Sequence, residues 1–381
     1  MTPTKTDSGT VRLRFDAITP VAAGMGEGVI DDVDLVPSGE HPGAFHHSER
    51  RSGAFQTARG RRRYWIILGT LLVLSLLFSA GLIAWKNPMD FGTQGFWLIA
   101  QRRITSVIVM LVVAVAQAMA TVSFQTVTNN RIITPSIMGF ESLYRAVQTS
   151  SVYFFGLSGL VAFTGVNAFL FQVALMVGLA LALYGWLLSG RYASLHIMLL
   201  VGIIIGGALG SVASFMQRLL TPSEFDVLTA RMFGSVNNAN ASYLPYAIPM
   251  VLVAALILLA RSKTLNAVAL GRPAAVNLGI NYRRNTIIVL ILAAVLIAVS
   301  TALVGPMTFL GFLVATLSYQ FSDTYDHRYV FPMAMLTGFV VLTGAYFVMN
   351  HIFYAAGVVS VVIELVGGGI FLFVILRKGR L

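Results

Sequence analysis

The sequence predicts an all-α membrane protein with about ten transmembrane helices. Of its 381 residues, 57% are hydrophobic and only 11% are charged, a balance that soluble domains do not reach. Apolar runs recur along most of the chain, and most of them are long enough to cross a bilayer as a helix. The net charge of +11 comes largely from cations at the ends of these runs, so membrane topology explains it better than binding to nucleic acid.

The first sixty residues differ in composition from everything that follows. They are rich in glycine, proline, serine and charged residues and have no sustained apolar period, which predicts a disordered, dispensable cytoplasmic extension at residues 1–60. His41, His46 and His47 could be imagined as metal ligands, but a chain without cysteine and without folded context there favours a solvated tail. We therefore expect no metal site there, and we place the membrane domain at residues 61–381.

Ten apolar runs are predicted as the membrane spans. Arg61, Arg62 and Arg63 precede the first run, which lies too far from the N-terminus to be a signal peptide. The runs are Tyr64–Trp85, Ile104–Gln125, Pro135–Val152, Asn167–Leu188, Leu195–Phe215, Tyr243–Ala260, Thr286–Val304, Met307–Phe321, Tyr329–Met349 and Ala356–Leu376.

The distribution of cations orients these spans. Seventeen Lys and Arg residues, counted from Arg50 onward, fall on the side of the N-terminus, against five on the other side: Lys86, Arg102, Arg103, Arg218 and Arg231. The positive-inside rule therefore places both termini in the cytoplasm. Residues 217–242 form the longest external connection, in which Phe225–Phe233 is predicted as a short surface helix.

The connection at residues 261–284 is long for a simple return loop, and it carries five cations and no acid. A first short helix is predicted before Gly271. Pro273 suits the first turn of a second helix, and Gly279 suits its left-handed end. The sequence thus predicts a two-helix cytoplasmic knob. Two interpretations remain open, an anchor held by anionic lipid and a docking element that receives force from a cytoplasmic partner.

Few groups in the spans could carry chemistry. The chain has no Gly-Lys dipeptide and hence no phosphate-binding loop of the GxxxxGK[ST] type, and it lacks GxSxG and HExxH motifs. Glu141 and Arg145 lie four residues apart on one helix face, so they form either a self-neutralising ion pair or part of a pathway. Glu364 has no cation near it in sequence. On the external side, Arg102 and Arg103 are either snorkelling anchors or a docking site for an acidic surface.

Three separated stretches resemble ABC importer permeases for ferric siderophores and cobalamin. NRIITPSIMG, with Asn130, Arg131, Pro135 and Gly139, is similar to the family's N-x-L-A-x-P-x-x-L-G motif, in the variant of catecholate-siderophore permeases. Residues 304–320, VGPMTFLGFLVATLSYQ, resemble the V-G-P segment, with Gly305 and Pro306. GRPAAVNLGI resembles the family's G-x-x-x-A-x-x-L-G coupling segment, with Gly271, Ala275, Leu278 and Gly279 at the matching places. The resemblance implies an ATPase-coupling set of Leu270, Gly271, Arg272, Ala275, Leu278, Gly279 and Ile280.

This resemblance implies a type II ABC importer permease that pairs with itself or with a sister permease. It implies a dimer of cytoplasmic ATPase subunits that binds ATP and Mg²⁺, while this chain binds no cofactor. It also implies an external binding protein for a ferric siderophore of the catecholate type. The family has an external R-x-P-R motif near the second span. The corresponding residues here read AQRR, so Arg102 and Arg103 depart from that motif. A secondary transporter driven by an ion gradient is the alternative, and a membrane enzyme is disfavoured because no nucleophile–base pair is visible.

Overall fold

The computed structural model describes residues 53–55, 57–85, 88–90, 92–162, 164–189, 195–236, 239–351 and 359–378. Most of the extension predicted at residues 1–60, including its three histidines, lies outside these residues. The described chain forms the helices α1 (Ala58–Ala84), α2 (Gln94–Thr128), α3 (Phe140–Ala162), α4 (Val166–Ser189), α5 (Leu195–Gln217), α6 (Pro222–Met232), α7 (Leu244–Ala260), α8 (Ser262–Val268), α9 (Arg272–Asn277), α10 (Tyr282–Val304), α11 (Thr308–Ser322), α12 (His327–His351) and α13 (Val359–Lys378).

Each of the ten predicted spans corresponds to one long helix, so the prediction of an all-α protein with about ten spans is confirmed. Seven described helices are apolar and long enough to cross a membrane, namely α1, α2, α4, α5, α7, α10 and α12. The other three are α3, which carries Glu141 and Arg145; α11, which has 15 residues; and α13. The predicted surface helix at Phe225–Phe233 is α6.

The helices α2 and α10 pack together at the centre of the molecule. Most of their apolar residues from Val109 to Val127 and from Val289 to Val304 are buried, although Leu111 is exposed. The helices α4, α7 and α12 surround them, whereas α1 lies at the periphery and exposes most of its apolar surface. Along the chain, α6 precedes α7 and α8 follows it, so these two short helices lie at opposite ends of α7. We call the two ends of the bundle the α6 side and the α8–α9 side.

Small residues let two segments approach closely at the start of α3. Pro135 opens a 3₁₀ turn, and Gly139 ends it in the left-handed conformation, with φ 94°. A side chain at Gly139 would meet the backbone of Gly206 in α5 at 3.1 Å from its Cα. Apolar burial gives no drive for helix association in lipid, so contacts of this kind hold such helices together. Gly139 and Gly206 therefore allow the start of α3 to pack closely against α5.

The break between α10 and α11 is packed against a second irregular segment. Gly305 has φ 92°, and Val304 accepts a 2.8 Å hydrogen bond from the backbone N–H of Ser235. The backbone N–H of Val236 donates to the Tyr346 hydroxyl at 2.6 Å. The chain between α6 and α7 thus folds onto the Gly305–Pro306 break, and the two segments share their backbone hydrogen bonds where neither is helical.

The residues directly before α1 are part of the folded domain. Phe55 lies against the rings of Tyr64 and Tyr329, with centroid distances of 5.4 and 4.8 Å. The Thr324 hydroxyl donates to the Ala54 carbonyl at 2.5 Å. The Thr57 side chain caps α1 by accepting from the Gly60 N–H at 3.0 Å. The dispensable extension should therefore end before Gly53 and not at residue 60.

We predict different outcomes for two N-terminal truncations. Removal of residues 1–52 should leave membrane insertion and the thermal midpoint unchanged. Removal of residues 1–60 should lower the midpoint, because it deletes an N-cap worth about 1 kcal/mol and two ring contacts worth about 0.5–1.5 kcal/mol each. Thermal unfolding of both proteins in the same detergent compares them. Equal midpoints for the two truncations would contradict the packing role of Phe55.

Candidate coupling site and intramembrane polar residues

The knob predicted at residues 261–284 is formed by α8 and α9. Gly271 has φ 88° and Gly279 has φ 77°, so both occupy the left-handed region where a Cβ is disfavoured. The backbone N–H of Gly279 donates to the Val276 carbonyl at 2.9 Å, and that of Ile280 donates to the Ala275 carbonyl at 3.0 Å. The predicted two-helix shape, with glycines at the joint and at the end, is what the structure has.

The knob has a buried face and an exposed face. Leu265 and Val268 are buried against the helical bundle, and Ala275 is completely buried. In contrast, Leu270, Val276 and Leu278 are 64%, 53% and 62% exposed. The cations Lys263 and Arg272 are exposed beside them.

Within the predicted coupling set, these burials separate two kinds of residue. Leu270, Arg272 and Leu278 point away from the bundle and are available to a partner. Ala275 supports the knob from within, and Ile280 is partly buried against the core. Direct contact of a partner with Ala275 does not fit this placement, because Ala275 has no exposed surface.

Two polar connections join the knob to the long helices. At the start of α8, the Arg261 guanidinium donates to Asn285 Oδ1 of α10 at 2.8 Å. Within α8, Asn266 Oδ1 accepts from the backbone N–H of His327 at 3.0 Å, and Asn266 Nδ2 donates to Asp326 Oδ1 at 2.9 Å. A backbone N–H can only donate, so these contacts fix the orientation of the Asn266 amide.

The Asn266 contacts continue through His327 into α2. His327 Nδ1 lies 2.6 Å from Asn266 Oδ1, which is an acceptor, so Nδ1 carries a proton. His327 Nε2 lies 2.7 Å from the Thr126 hydroxyl of α2. Both His327 and Asp326 are more than nine-tenths buried. The chain Asp326–Asn266–His327–Thr126 therefore connects α8, α12 and α2, and we call it the polar relay.

Asp326 is fixed as a carboxylate at the edge of this relay. Partial burial raises the pKa of Asp326, but hydrogen bonds from Arg328 and Asn266 outweigh that effect and lower the pKa to about 2. The Arg328 guanidinium donates to both carboxylate oxygens, with its Nη2 at 2.6 Å from Oδ2. Because the folded pKa lies below the ordinary value of 3.8, the stabilisation is present at neutral pH and is lost as the pH falls toward 2.

The segment with Asn130 and Arg131 turns the chain after α2. Asn129 adopts the left-handed conformation at the end of α2, and Asn130 Oδ1 accepts from the Ile132 N–H at 2.9 Å. Gln125 Nε2 donates to the Arg131 carbonyl at 2.7 Å. Asn130 and Gln125 therefore satisfy one backbone N–H and one backbone carbonyl at this turn. The Arg131 guanidinium lies over the rings of Tyr319 and Tyr325, at 4.8 and 5.3 Å from their centroids.

The hydrogen-bond partner of Glu141 lies on α11 and is not Arg145 of its own helix. The Thr308 hydroxyl, in the first turn of α11, donates to Glu141 Oε2 at 2.5 Å. Glu141 is 4% exposed, whereas Arg145 is exposed, and the described structure contains no ion pair between them within 4 Å. Glu141 lies in the first turn of α3 and Thr308 in the first turn of α11, so the hydrogen bond joins the starts of these two helices. The ion pair expected from the i, i+4 spacing is thus replaced by a contact between helices.

A double-mutant cycle separates these two partners. Thr308→Val should destabilise the protein by about 1–3 kcal/mol, the cost of leaving a buried polar group without its hydrogen-bond partner. The cycle of Glu141→Gln with Thr308→Val should show a coupling energy, and the cycle of Glu141→Gln with Arg145→Gln should show almost none. Unfolding of the three single and two double variants in detergent gives both numbers. A larger coupling with Arg145 would restore the ion-pair interpretation.

Of the two arginines considered for external docking, one has a structural role. The Arg103 guanidinium donates to the carbonyls of Leu82, Ile83 and Trp85 at 3.0–3.3 Å, and it thereby caps the last turn of α1. Arg102 is exposed at the same end of the bundle. Any docking role of this pair therefore falls on Arg102.

The polar relay and the Glu141–Thr308 contact were not predicted as contacts. Asp326 and His327 lie in YDHRYVFP, shortly after the V-G-P segment, and they are close in sequence to a stretch that resembles the family. Asn266 and Thr308 had none, because each finds its partner across a long separation in the chain.

The chain was compared with known proteins. Residues 67–377 match the FecCD transport family. The petrobactin import system permease protein FatC of Bacillus anthracis is 54% identical over 89% of this chain and 96% of its own length. The petrobactin import system permease protein YclO of Bacillus subtilis is 38% identical over 76% of this chain and 92% of its own. The ferric enterobactin transport system permease protein FepD of Escherichia coli is 26% identical over 74% of this chain and 83% of its own.

Among solved structures, a metal-chelate type ABC transporter in an inward-facing conformation has the same fold, with a TM-score of 0.69 and 23% identity. The match covers 82% of this chain and 99% of that one. At this level of identity the likeness concerns the fold alone. The family match spans most of the membrane domain, and the first relative covers nearly all of it. The chain is a membrane permease that belongs to the FecCD transport family.

Proposed function

We propose that this chain is the permease subunit of an ATP-driven ABC importer that carries ferric siderophores of the catecholate type across the cytoplasmic membrane. One observation carries the proposal, namely the 54% identity over nearly the whole length of a petrobactin import permease. The enterobactin permease among the more distant relatives supports the same substrate class. Petrobactin is the first substrate to test.

The proposed orientation places the α8–α9 side and both termini in the cytoplasm. The asymmetry of Lys and Arg along the sequence supports this orientation. A separate ATPase dimer supplies the hydrolysis of Mg-ATP, because this sequence has no phosphate-binding loop. The exposed apolar residues Leu270, Val276 and Leu278 of the knob form the proposed contact surface for that ATPase. A second permease subunit and an external binding protein on the α6 side complete the assembly.

In this proposal the polar relay transmits the motion of the ATPase. When the ATPase displaces the knob, Asn266 carries the displacement to the start of α12 and, through His327, to α2. The helix α2 lies at the centre of the bundle, so its movement reaches the helices around it. The cations Lys263 and Arg272 beside the exposed apolar residues suit an acidic rim on the partner.

Uptake of radiolabelled iron in a deletion strain tests the function. The strain should lose uptake of ferric petrobactin and regain it with the wild-type gene, while uptake of a ferric hydroxamate should not change. Uptake should stop when ATP is depleted and continue when the proton gradient alone is collapsed. Uptake that follows the proton gradient would favour the secondary transporter. Unchanged uptake of every catecholate siderophore by the deletion strain would overturn the proposal.

A further inference from the structure

The start of α1 carries an arginine cluster that takes no part in the polar relay. Four arginines in the first two turns of this helix are exposed, namely Arg59, Arg61, Arg62 and Arg63. Within the part of the chain that the structure describes, none of them is in an ion pair. Asp323 approaches α1 at Gly60, where its Oδ2 lies 3.2 Å from the position that a Cβ would take. Gly60 and Arg62 are two residues apart and therefore on opposite sides of the helix, so this acid lies away from Arg62.

An apolar stripe continues from this cluster toward the middle of α1. Ile66, Val73 and Leu77 are each more than half exposed. Steps of three, four and seven residues place them on the same face of the helix as Arg59 and Arg62. The helix is apolar and long enough to cross a membrane, and it lies at the periphery of the bundle, so this face meets hydrocarbon. Cations that match a lipid headgroup therefore lie next to a surface that matches acyl chains.

Gly69 leaves a gap in the apolar stripe. It lies between Ile66 and Val73 on the same face, it is exposed, and a Cβ added to it would meet no atom within 4 Å. We call this gap the Gly69 notch. Trp65 precedes Gly69 by one turn and is 58% exposed. Because tryptophan is enriched at the boundary between membrane and water, Trp65 marks the level of the headgroups, and the notch lies one turn deeper.

The two arginines above the stripe are spaced for one phosphate group. Residues three apart on a helix have Cβ atoms about 5–6 Å from each other, so the guanidinium groups of Arg59 and Arg62 can meet on one anion. A guanidinium donates two parallel hydrogen bonds to phosphate oxygens. We propose that the start of α1 is a binding site for one anionic phospholipid, whose phosphate is held by Arg59 and Arg62 and one of whose acyl chains lies over the Gly69 notch.

The charge around the site selects an anionic lipid over a zwitterionic one. Arg61 and Arg63 add positive charge beside Arg62, and they repel the ammonium group of a zwitterionic headgroup. An inorganic phosphate ion could satisfy the guanidinium groups but would leave the apolar stripe without a partner. Because the site lies on α1, the inference goes beyond the proposed transport function and does not depend on the substrate.

A lipid bound at this site would also hold the start of α12. The Tyr64 hydroxyl donates to the Tyr329 carbonyl at 3.1 Å, and Leu71 packs against Met333. The start of α1 is thus fixed to α12 by a hydrogen bond and by apolar contacts. We expect phosphatidylglycerol added to detergent to raise the thermal midpoint of the wild type, and to raise that of the double variant Arg59→Gln, Arg62→Gln much less.

Quenching of Trp65 fluorescence by brominated phospholipids tests the site in the full-length protein reconstituted into liposomes. The other three of its four tryptophans are replaced by phenylalanine, so that the signal reports on Trp65 alone. Quenching over a range of mole fractions gives the preference of this position for phosphatidylglycerol over phosphatidylcholine. A cation near a lipid phosphate is worth about fivefold in binding, so the preference should be about tenfold or more, and the double variant Arg59→Gln, Arg62→Gln should remove most of it.

Matched controls distinguish a defined site from general attraction by positive charge. The double variant Arg283→Gln, Arg284→Gln removes the same charge from exposed positions at the start of α10 and should leave the preference at Trp65 unchanged. Gly69→Leu changes no charge but fills the notch, and it should lower the preference at least about threefold. Gly178→Leu makes the same substitution at an exposed glycine of α4 where a Cβ also meets nothing, and it should have no effect.

Three results would overturn the inference. The first is an equal preference in the wild type and in the double variant Arg59→Gln, Arg62→Gln. The second is an equal loss in the α10 double variant together with no effect of Gly69→Leu, since net charge alone would then attract the lipid. The third is no quenching of Trp65 by either brominated lipid, which would show that a protein partner covers this face of α1. None of these results bears on uptake of the ferric siderophore, so the site and the proposed function can fail separately.

Discussion

Replacing Asn266 with leucine should separate ATP hydrolysis from transport in the proposed importer. The substitution keeps the approximate shape of the side chain and removes three hydrogen-bonding contacts, to the backbone N–H and Nδ1 of His327 and to Asp326. The ATPase should still bind, because Asn266 lies on the face of the knob that contacts the bundle. The force applied to the knob, however, should no longer reach α12 and α2 through the relay.

The size of the effect follows from the burial of the groups left behind. His327 and Asp326 are 4% and 9% exposed, so water does not readily replace the lost amide. Each orphaned buried group costs about 1–3 kcal/mol. The contact between α8 and α12 should therefore weaken by about 3 kcal/mol or more, while the apolar contacts of Leu265 and Val268 keep α8 in place.

Two measurements on reconstituted importer test this expectation. The amount of iron transported per ATP hydrolysed should fall at least about tenfold, and hydrogen exchange of the α8 amides should become faster. Asn277→Leu is the matched control, because it makes the same substitution at an exposed asparagine of the knob that takes no part in the relay. A variant Asn266→Leu that transports the normal amount of iron per ATP would show that force reaches the membrane helices by another route, such as Arg261 and Asn285.

The helices were predictable because their signals are local. A run of about twenty apolar residues forms a membrane helix whatever its neighbours do, since the backbone must satisfy its own hydrogen bonds in lipid. The ends of the two knob helices were predictable for a similar reason, because Gly271 and Gly279 take backbone conformations that other residues avoid. Helix limits were less certain, as for α2, which extends from Gln94 to Thr128 instead of from Ile104 to Gln125.

The polar contacts were not predictable because their partners are remote in sequence. Asn266 and His327 are separated by 61 residues, and Glu141 and Thr308 by 167. The i, i+4 spacing predicts Arg145 as the partner of Glu141. That spacing considers one helix alone and contains no information about α11, which begins beside Glu141. The burial of Ala275 could not be predicted for another reason. The helix α9 has only six residues, which is too short to show an apolar period that identifies its buried face.

Substitution of an apolar residue on the exposed side of the knob should have the second large effect, which is weaker binding of the proposed ATPase. Leu278 is 62% exposed at the end of α9, next to Val276 at 53%, and Leu270 is 64% exposed at the end of α8. Apolar side chains on a surface that also carries cations suit a partner with an apolar groove and an acidic rim. Burial of one leucine in such a groove is worth about 1.5–3 kcal/mol.

Leu278→Asp should therefore weaken binding of the ATPase by at least about tenfold to a hundredfold, because it removes that burial and adds a charge that must be desolvated. The permease should remain folded, since the residue touches little of its own chain. Leu278→Met preserves volume and apolar character and should bind normally.

Ala275→Glu should act differently and lower the amount of folded protein, because Ala275 is completely buried. Co-purification of the ATPase and thermal unfolding of each permease variant separate these outcomes. If Leu278→Asp and Leu270→Asp both retain the ATPase and reduce only association with anionic lipid, the knob is a membrane anchor and the ATPase grips another surface.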